Sequence, residues 1–188
     1  MKIVSIFADD NIIWSIKGKD DKDNRFRTLL DQWRNILYLD KFFDDHWQLV
    51  QKSRVWKGYT KESLMLQARR EAQNILTTFK SEYIKYKQGD EFEIDKMFKV
   101  LEGTHLPLCL KAYGNYRQSR NVGKDAILRL YAIQTSGHQL IITGGGIKLT
   151  DAMEDCDYLM DELHRLREIR QWLENNDIDC LNEVEILI

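Results

Sequence analysis

An arginine and a tyrosine alternate in the strand-like segment from Ala126 to Gln134 of this 188-residue chain. Alternating residues of a strand share one face, so Arg129 and Tyr131 lie about 6.7 Å apart along it. A guanidinium binds phosphate oxygens through paired N–H donors, and a phenol stacks on a base or exchanges a proton. The pair is therefore a candidate contact for a phosphate and a base.

Three consecutive glycines, Gly144 to Gly146, occupy the next strand-like segment, from Gln139 to Thr150. Their spacing fits neither a Walker phosphate loop, because Ile147 separates them from Lys148, nor a dinucleotide fingerprint. A nucleotide enzyme is therefore the third of three functional hypotheses. The structural alternatives are a β-bulge or a strand closely approached by another part of the chain.

A two-residue turn at Ser136-Gly137 would set the register of this hairpin. In that register Gly144 lies opposite Arg129, and Gly146 lies on the same face one pair further along. The missing side chains would leave a shallow groove, walled by these glycines, beside Arg129 and Tyr131. A slip of one residue would remove the groove. The alternative interpretation is a buried Arg129 that pairs with a carboxylate and packs on Tyr131.

The two strand-like segments together resemble the core of RelE/HigB-like toxins. They read Leu128-Arg129-Leu130-Tyr131-Ala132-Ile133, then Leu140-Ile141-Ile142-Thr143-Gly144-Gly145-Gly146-Ile147-Lys148-Leu149-Thr150, followed by an acidic entry into a helix. The resemblance covers residues 106–173 at most. It implies an α+β fold, with a small antiparallel sheet flanked by helices. It also implies messenger RNA cleavage at the ribosome and a helix-turn-helix antitoxin as partner.

The resemblance assigns roles to individual residues. As catalytic groups, Arg129 would stabilise the phosphate, Tyr131 would stack or transfer a proton, and Lys148 would stabilise charge. The RNA-binding residues would be Arg117, Arg120, Lys124 and His138. His138 is also the nearest group that titrates around neutral pH, with an exposed turn histidine as the alternative interpretation.

Charge is strongly segregated along the chain. Residues 103–150 hold six basic side chains and one acidic one, whereas residues 151–188 hold three basic and twelve acidic ones. Such asymmetry is typical of a nucleic-acid surface beside an acidic segment, or of oppositely charged faces that pack together. Whether the acidic segment covers the basic hairpin is left open by the sequence.

Regular elements must position these residues. Hydrophobic spacing and capping signals predict an opening β-hairpin and five helices. The hairpin pairs Lys2–Phe7 with Ile12–Ile16, and the helices span Arg25–Leu39, Asp40–Val50, Thr60–Gly89 (long enough to form an arm), Asp90–Gly103 and Tyr158–Asn175. A short strand is expected from Cys109 to Tyr116, a loop from Arg117 to Lys124, and a final strand from Val184 to Ile188. The predicted division is a β-hairpin plus helical region over 1–103 and a RelE-like unit over 104–188, with one compact domain as the alternative.

The bulk composition narrows the class of protein. The N-terminus lacks the apolar core of a signal peptide or membrane span, and the three cysteines, Cys109, Cys156 and Cys180, are scattered without CxxC spacing. A cytoplasmic protein with free thiols, no membrane contact and neither metal nor cofactor is expected. The leading hypothesis is a toxin-like domain that cleaves or binds messenger RNA at the ribosome. The alternative is a non-catalytic interaction protein of the same fold that binds a helix-turn-helix regulator or RNA.

Overall fold

A computed structural model describes residues 1–7, 11–91, 93–102, 108–113, 126–181 and 185–187. Within these ranges the chain has the predicted α+β architecture, a mostly antiparallel sheet flanked by helices. The strands are β1 (Lys2–Ser5), β2 (Ile13–Lys17), β3 (Phe98–Glu102), β4 (Cys109–Tyr113), β5 (Leu128–Gln134), β6 (Leu140–Ile147) and β7 (Glu185–Leu187). The helices are α1 (Arg25–Arg34), α2 (Ile36–Lys52), α3 (Lys61–Lys87) and α4 (Asp157–Asn175).

The seven strands form one sheet in the order β3-β4-β5-β6-β2-β1-β7. Neighbouring strands are antiparallel except β2 and β6, which run parallel. The N-terminal hairpin therefore extends the sheet of the C-terminal hairpin. Both halves of the predicted division, before and after residue 103, contribute strands to the same sheet.

Each face of the sheet carries its own hydrophobic core. Helices α1, α2 and α3 pack on one face, where Trp33, Phe43 and Phe79 are fully buried against side chains of β5 and β6. Helix α4 packs on the other face and buries Leu159 and Leu166 against β2, β4, β5 and β6. None of the helices in the described ranges has the length and apolar character that a membrane span requires.

The boundary between the first two helices was predicted at Asp40, but it lies at Asn35. The Asn35 side chain accepts hydrogen bonds from the backbone N–H groups of Leu37 and Tyr38, at 2.9 and 3.2 Å. An asparagine in extended backbone conformation satisfies the first amides of a new helix, so the chain turns there. The hydrophobic spacing runs across this break, which is why the pattern suggested a longer first helix.

Two other predictions concern the middle of the chain. Helix α3 begins after its cap Thr60, as predicted, but its apolar stripe is buried in the core, so it is not a projecting arm. The prediction of a helix from Asp90 to Gly103 is wrong, because Ile94–Met97 form a 3-10 turn and β3 follows this turn. Pairing of β3 with β4 overrides the local helical signals and buries Phe98.

Candidate functional site

The register of the β5–β6 hairpin differs by two positions from the predicted one. Arg129 pairs with Gly146, and Tyr131 pairs with Gly144. A three-residue turn with His138 at φ 60° shifts the pairing by one position, and a bulge at Thr143 shifts it by another. Because the total shift is even, the glycines remain on the same face as Arg129 and Tyr131.

The two central candidates are buried and bonded within the protein. Arg129 is 8% exposed, and its Nη1 donates to the backbone oxygens of Ala126 and Leu128 at 2.7 and 2.8 Å. Tyr131 is 1% exposed, and its hydroxyl donates to Met153 Sδ at 3.1 Å. Burial raises the pKa of Tyr131 far above its ordinary value. The phenol therefore keeps its proton at neutral pH.

Helix α4 fills the space that the glycines leave. A methyl group at Gly144 would overlap the carboxylate of Glu162, and one at Gly146 would lie 2.6 Å from Leu159 Cδ2. On the opposite face, a methyl group at Gly145 would lie 2.3 Å from the backbone oxygen of Arg129 in β5 and 3.1 Å from the ring of Trp33. The glycine run therefore lets helices approach the sheet closely, and α4 of the acidic segment covers the hairpin.

The remaining predicted residues are spread over the molecule. Lys148 lies at the Arg129 end of the hairpin, where its N–H donates to Ile127 O at 2.7 Å and its Nζ donates to Asp151 O at 2.9 Å. His138 is exposed in the turn at the opposite end. Arg117, Arg120 and Lys124, with the predicted loop, lie outside the described residues. In the described part of the chain, no three His, Cys, Asp or Glu side chains are grouped as metal ligands.

A cluster that the sequence did not reveal lies next to the glycines, and we name Arg25, Gly145, Glu162 and Arg165 the switch-point cluster. Glu162 Oε1 accepts from Arg25 Nη2 at 2.7 Å and from Arg165 Nη1 at 2.8 Å, while its Oε2 accepts from the Gly145 amide at 3.2 Å. The Glu162 side chain is 10% exposed. A buried carboxylate is thus bonded to two guanidiniums and one backbone amide.

The position of the cluster follows from the parallel pair of strands. β2 pairs with β6 only from Leu140 to Ile142, so the glycines lie beyond the end of that pairing. Helix α1 follows β2 and packs on one face of the sheet, whereas α4 follows β6 and packs on the other face. A hydrogen bond from the Phe26 amide to Ser15 Oγ, at 3.0 Å, joins α1 to β2. Helices α1 and α4 therefore meet beyond the end of the parallel pairing, where Arg25 and Glu162 come into contact.

Aromatic side chains of α2 and α4 stand beside this cluster. Tyr158 donates to Ile147 O at 2.6 Å, and its ring packs edge-on against His46 at 4.9 Å and Phe42 at 5.5 Å. Burial raises the pKa of Tyr38, with the nearby Arg25 opposing that shift and Glu162 adding to it. The phenol of Tyr38 therefore stays protonated at neutral pH and lies near the buried carboxylate of Glu162.

Two local features of the sequence are consistent with part of the switch-point cluster, although they do not identify it. Glu162 and Arg165 are spaced i, i+3 on a predicted helix, and the glycine run indicated a close neighbour. Arg25, however, lies 137 residues from Glu162, and nothing in the sequence pairs the two. Only the packing of α1 and α4 on opposite faces brings them together.

A second carboxylate, that of the half-buried Glu71 of α3, holds the start of β5. It accepts from the amides of Ile127 and Leu128, each at 2.9 Å. Burial raises the pKa of Glu71, although these bonds and the positive charge of Arg129 act in the opposite direction. Glu71 therefore ties the helical face to the strand that carries Arg129.

The fold and these sites define an α+β protein with a single mixed sheet between helical layers. No family model, curated protein or solved structure matches the chain.

Proposed function

We propose that this protein is a non-catalytic interaction protein with a RelE-like arrangement of sheet and helices, and that it binds a helix-turn-helix regulator in the cytoplasm. One observation carries the proposal: Arg129 and Tyr131, the residues that a toxin-like nuclease would use, are both buried inside the protein. The free cysteines agree with a reducing compartment.

The chemistry of RNA cleavage argues in the same direction. Attack by a 2′-hydroxyl needs a base, a cation at the phosphate and an acid at the leaving oxygen, all within contact of the RNA. The Arg129 guanidinium donates to backbone carbonyls, and the phenol of Tyr131 donates to a thioether. Neither group is presented to a bound polymer in this arrangement.

Exposed apolar side chains favour a protein partner over RNA. At the start of α2, Ile36 is 53% exposed and its neighbour Leu37 is 80% exposed. Adjacent aliphatic side chains of this kind gain by being covered in a protein interface, whereas RNA recognition relies on cations and stacking rings. We propose that the regulator covers Ile36 and Leu37.

The experiment is co-expression with any small helix-turn-helix protein that is found to be encoded beside this gene, followed by size-exclusion chromatography. A stable complex is expected, and Leu37→Glu should dissociate it without unfolding the chain, because this side chain is mostly solvated. Ile84→Glu on α3 is the matched control, since Ile84 is 55% exposed and lies on a different helix. Failure of the wild-type chain to bind the neighbour's product would contradict the proposal.

The second candidate function is messenger RNA cleavage at the ribosome. It is favoured by the placement of Arg129 and Tyr131 on one face of β5, with Lys148 at the Arg129 end of the hairpin. It requires α4 to leave the sheet. Growth arrest with transcript cleavage by the wild-type chain, lost in a folded Arg129→Ala variant, would establish it and overturn the non-catalytic proposal.

A further inference from the structure

We propose that the switch-point cluster binds the phosphate group of a small ligand on the solvent side of Arg25 and Arg165. Phosphate binding by Arg25 and Arg165 does not depend on the proposed binding of a regulator at Ile36 and Leu37. The site lies beside the one parallel pair of strands, β2 and β6, which α1 and α4 follow on opposite faces of the sheet, the position at which open parallel sheets take ligands.

The charge balance of the cluster leaves room for an anion. Two guanidiniums face one carboxylate, and the side chains of Arg25 and Arg165 are 27% and 44% exposed. Each guanidinium has five N–H donors, of which a single bond to Glu162 uses one. Positive charge and unused donors therefore remain beside solvent.

The geometry of the guanidiniums suits a phosphate group. Arg25 comes from α1 and Arg165 from α4, yet both donate to the same oxygen, Glu162 Oε1. The carboxylate thereby holds two cations from separate helices next to each other. A tetrahedral phosphate presents oxygens in several directions and can accept from both guanidiniums at once.

The first test is a titration of the full chain with inorganic phosphate, followed by phosphorus NMR and by isothermal calorimetry at fixed ionic strength. Saturable binding is expected, and Arg165→Ala should weaken it by roughly tenfold, the effect of losing one charge-assisted hydrogen bond. Arg69→Ala is the matched control, because Arg69 is an exposed arginine on α3. It should leave the phosphate affinity unchanged.

Glu162→Gln separates a binding role from a structural one. Removing the carboxylate charge leaves both arginines uncompensated, so this variant should bind phosphate more tightly than the wild type. Phosphate should also raise its melting temperature more than that of the wild type. Far-UV circular dichroism checks that each variant is folded.

Three results would overturn the proposal. One is the absence of saturable binding by the wild-type chain at millimolar phosphate. Another is equal weakening by Arg165→Ala and Arg69→Ala, which would indicate general charge attraction. The third is weaker phosphate binding or less thermal stabilisation in a folded Glu162→Gln variant than in the wild type.

Discussion

Replacing Gly144 by alanine tests whether the glycine run exists to admit Glu162. The backbone of Gly144 is outside the left-handed region, so alanine meets no conformational penalty there. The added methyl group would overlap the Glu162 carboxylate, which is the only side chain that the described residues place within 4 Å of it. Because Glu162 is bonded to Arg25, Arg165 and the Gly145 amide, it has little freedom to move aside.

Two opposing effects determine how far Gly144→Ala changes the free energy of unfolding. Inserting a methyl group into a packed site destabilises a protein by about 1–3 kcal/mol. Replacing glycine by alanine also stabilises the folded state by about 0.4–1 kcal/mol, because alanine reduces the conformational freedom of the unfolded chain. A net loss of about 1–2 kcal/mol is expected. For a chain of this length that corresponds to a fall in melting temperature of about 2–8 °C.

The assay is a double-mutant cycle measured by urea denaturation, with Gly144→Ala in the wild-type and Glu162→Ala backgrounds. Of the atoms that a methyl group at Gly144 meets, only Glu162 Cβ, at 3.9 Å, remains after Glu162→Ala. That distance is an ordinary contact, so Gly144→Ala should then stabilise the protein by about 0.4–1 kcal/mol. The effect of one substitution should change sign between the two backgrounds.

Equal destabilisation by Gly144→Ala in both backgrounds would refute this reasoning, since the loss would then have a cause other than Glu162. A neutral effect in the wild-type background would also refute it. In that case the carboxylate could move without loss, and its bonds to the two arginines would contribute little to stability.

Three further predictions concern single side chains. Tyr131→Phe should change the free energy of unfolding by no more than about 1 kcal/mol in calorimetry, because the hydroxyl donates only to the thioether of Met153. For Glu71→Gln, urea denaturation at a series of pH values should show that the free energy of unfolding of the variant rises relative to that of the wild type as the pH rises above 4.5. Burial raises the pKa of Glu71 in the folded protein, so the stability that the protonated carboxyl group contributes is lost as the pH rises through this raised pKa. Asn35→Ala should destabilise the protein by about 1 kcal/mol in thermal unfolding, through loss of the α2 cap.

Each of these has a clear contrary outcome. Loss of folding in Tyr131→Phe would mean that the hydroxyl has a stronger partner than sulfur. A stability difference between wild type and Glu71→Gln that stays constant with pH would exclude a raised pKa. For the cap, Asn74→Ala in the exposed interior of α3 is the control and should be neutral or slightly stabilising. Equal effects at Asn35 and Asn74 would contradict the capping role.

Elements with strong local signals were predicted correctly from the sequence. The N-terminal hairpin, the long helix after Thr60, the β5–β6 hairpin and the C-terminal helix all have the expected type, with boundaries shifted by a few residues. Each is specified by residues close together in the chain, through periodicity and caps. The break at Asn35 was missed because hydrophobic spacing continues across it.

Pairing between distant segments escaped local analysis. β3 was predicted as a helix because its capping signals are local, whereas its partner β4 lies beyond the part of the chain that carries those signals. The register at Arg129 depended on the turn length and on the bulge at Thr143, neither of which the sequence specified. The two shifts add to an even number, which preserved the face but moved the glycines relative to Arg129 and Tyr131.

By itself the sequence determined the α+β class and the alternation of Arg129 and Tyr131 on one strand face, and it left a bulge or a close neighbour as the alternatives for the glycines. The tertiary structure alone decided what approaches them. Helix α4 covers Tyr131 in the core and brings Glu162 to Arg25, across 137 residues. The physical reason is that side-chain alternation is a local property of a strand, whereas burial and ion pairing depend on which helix packs on which face of the sheet.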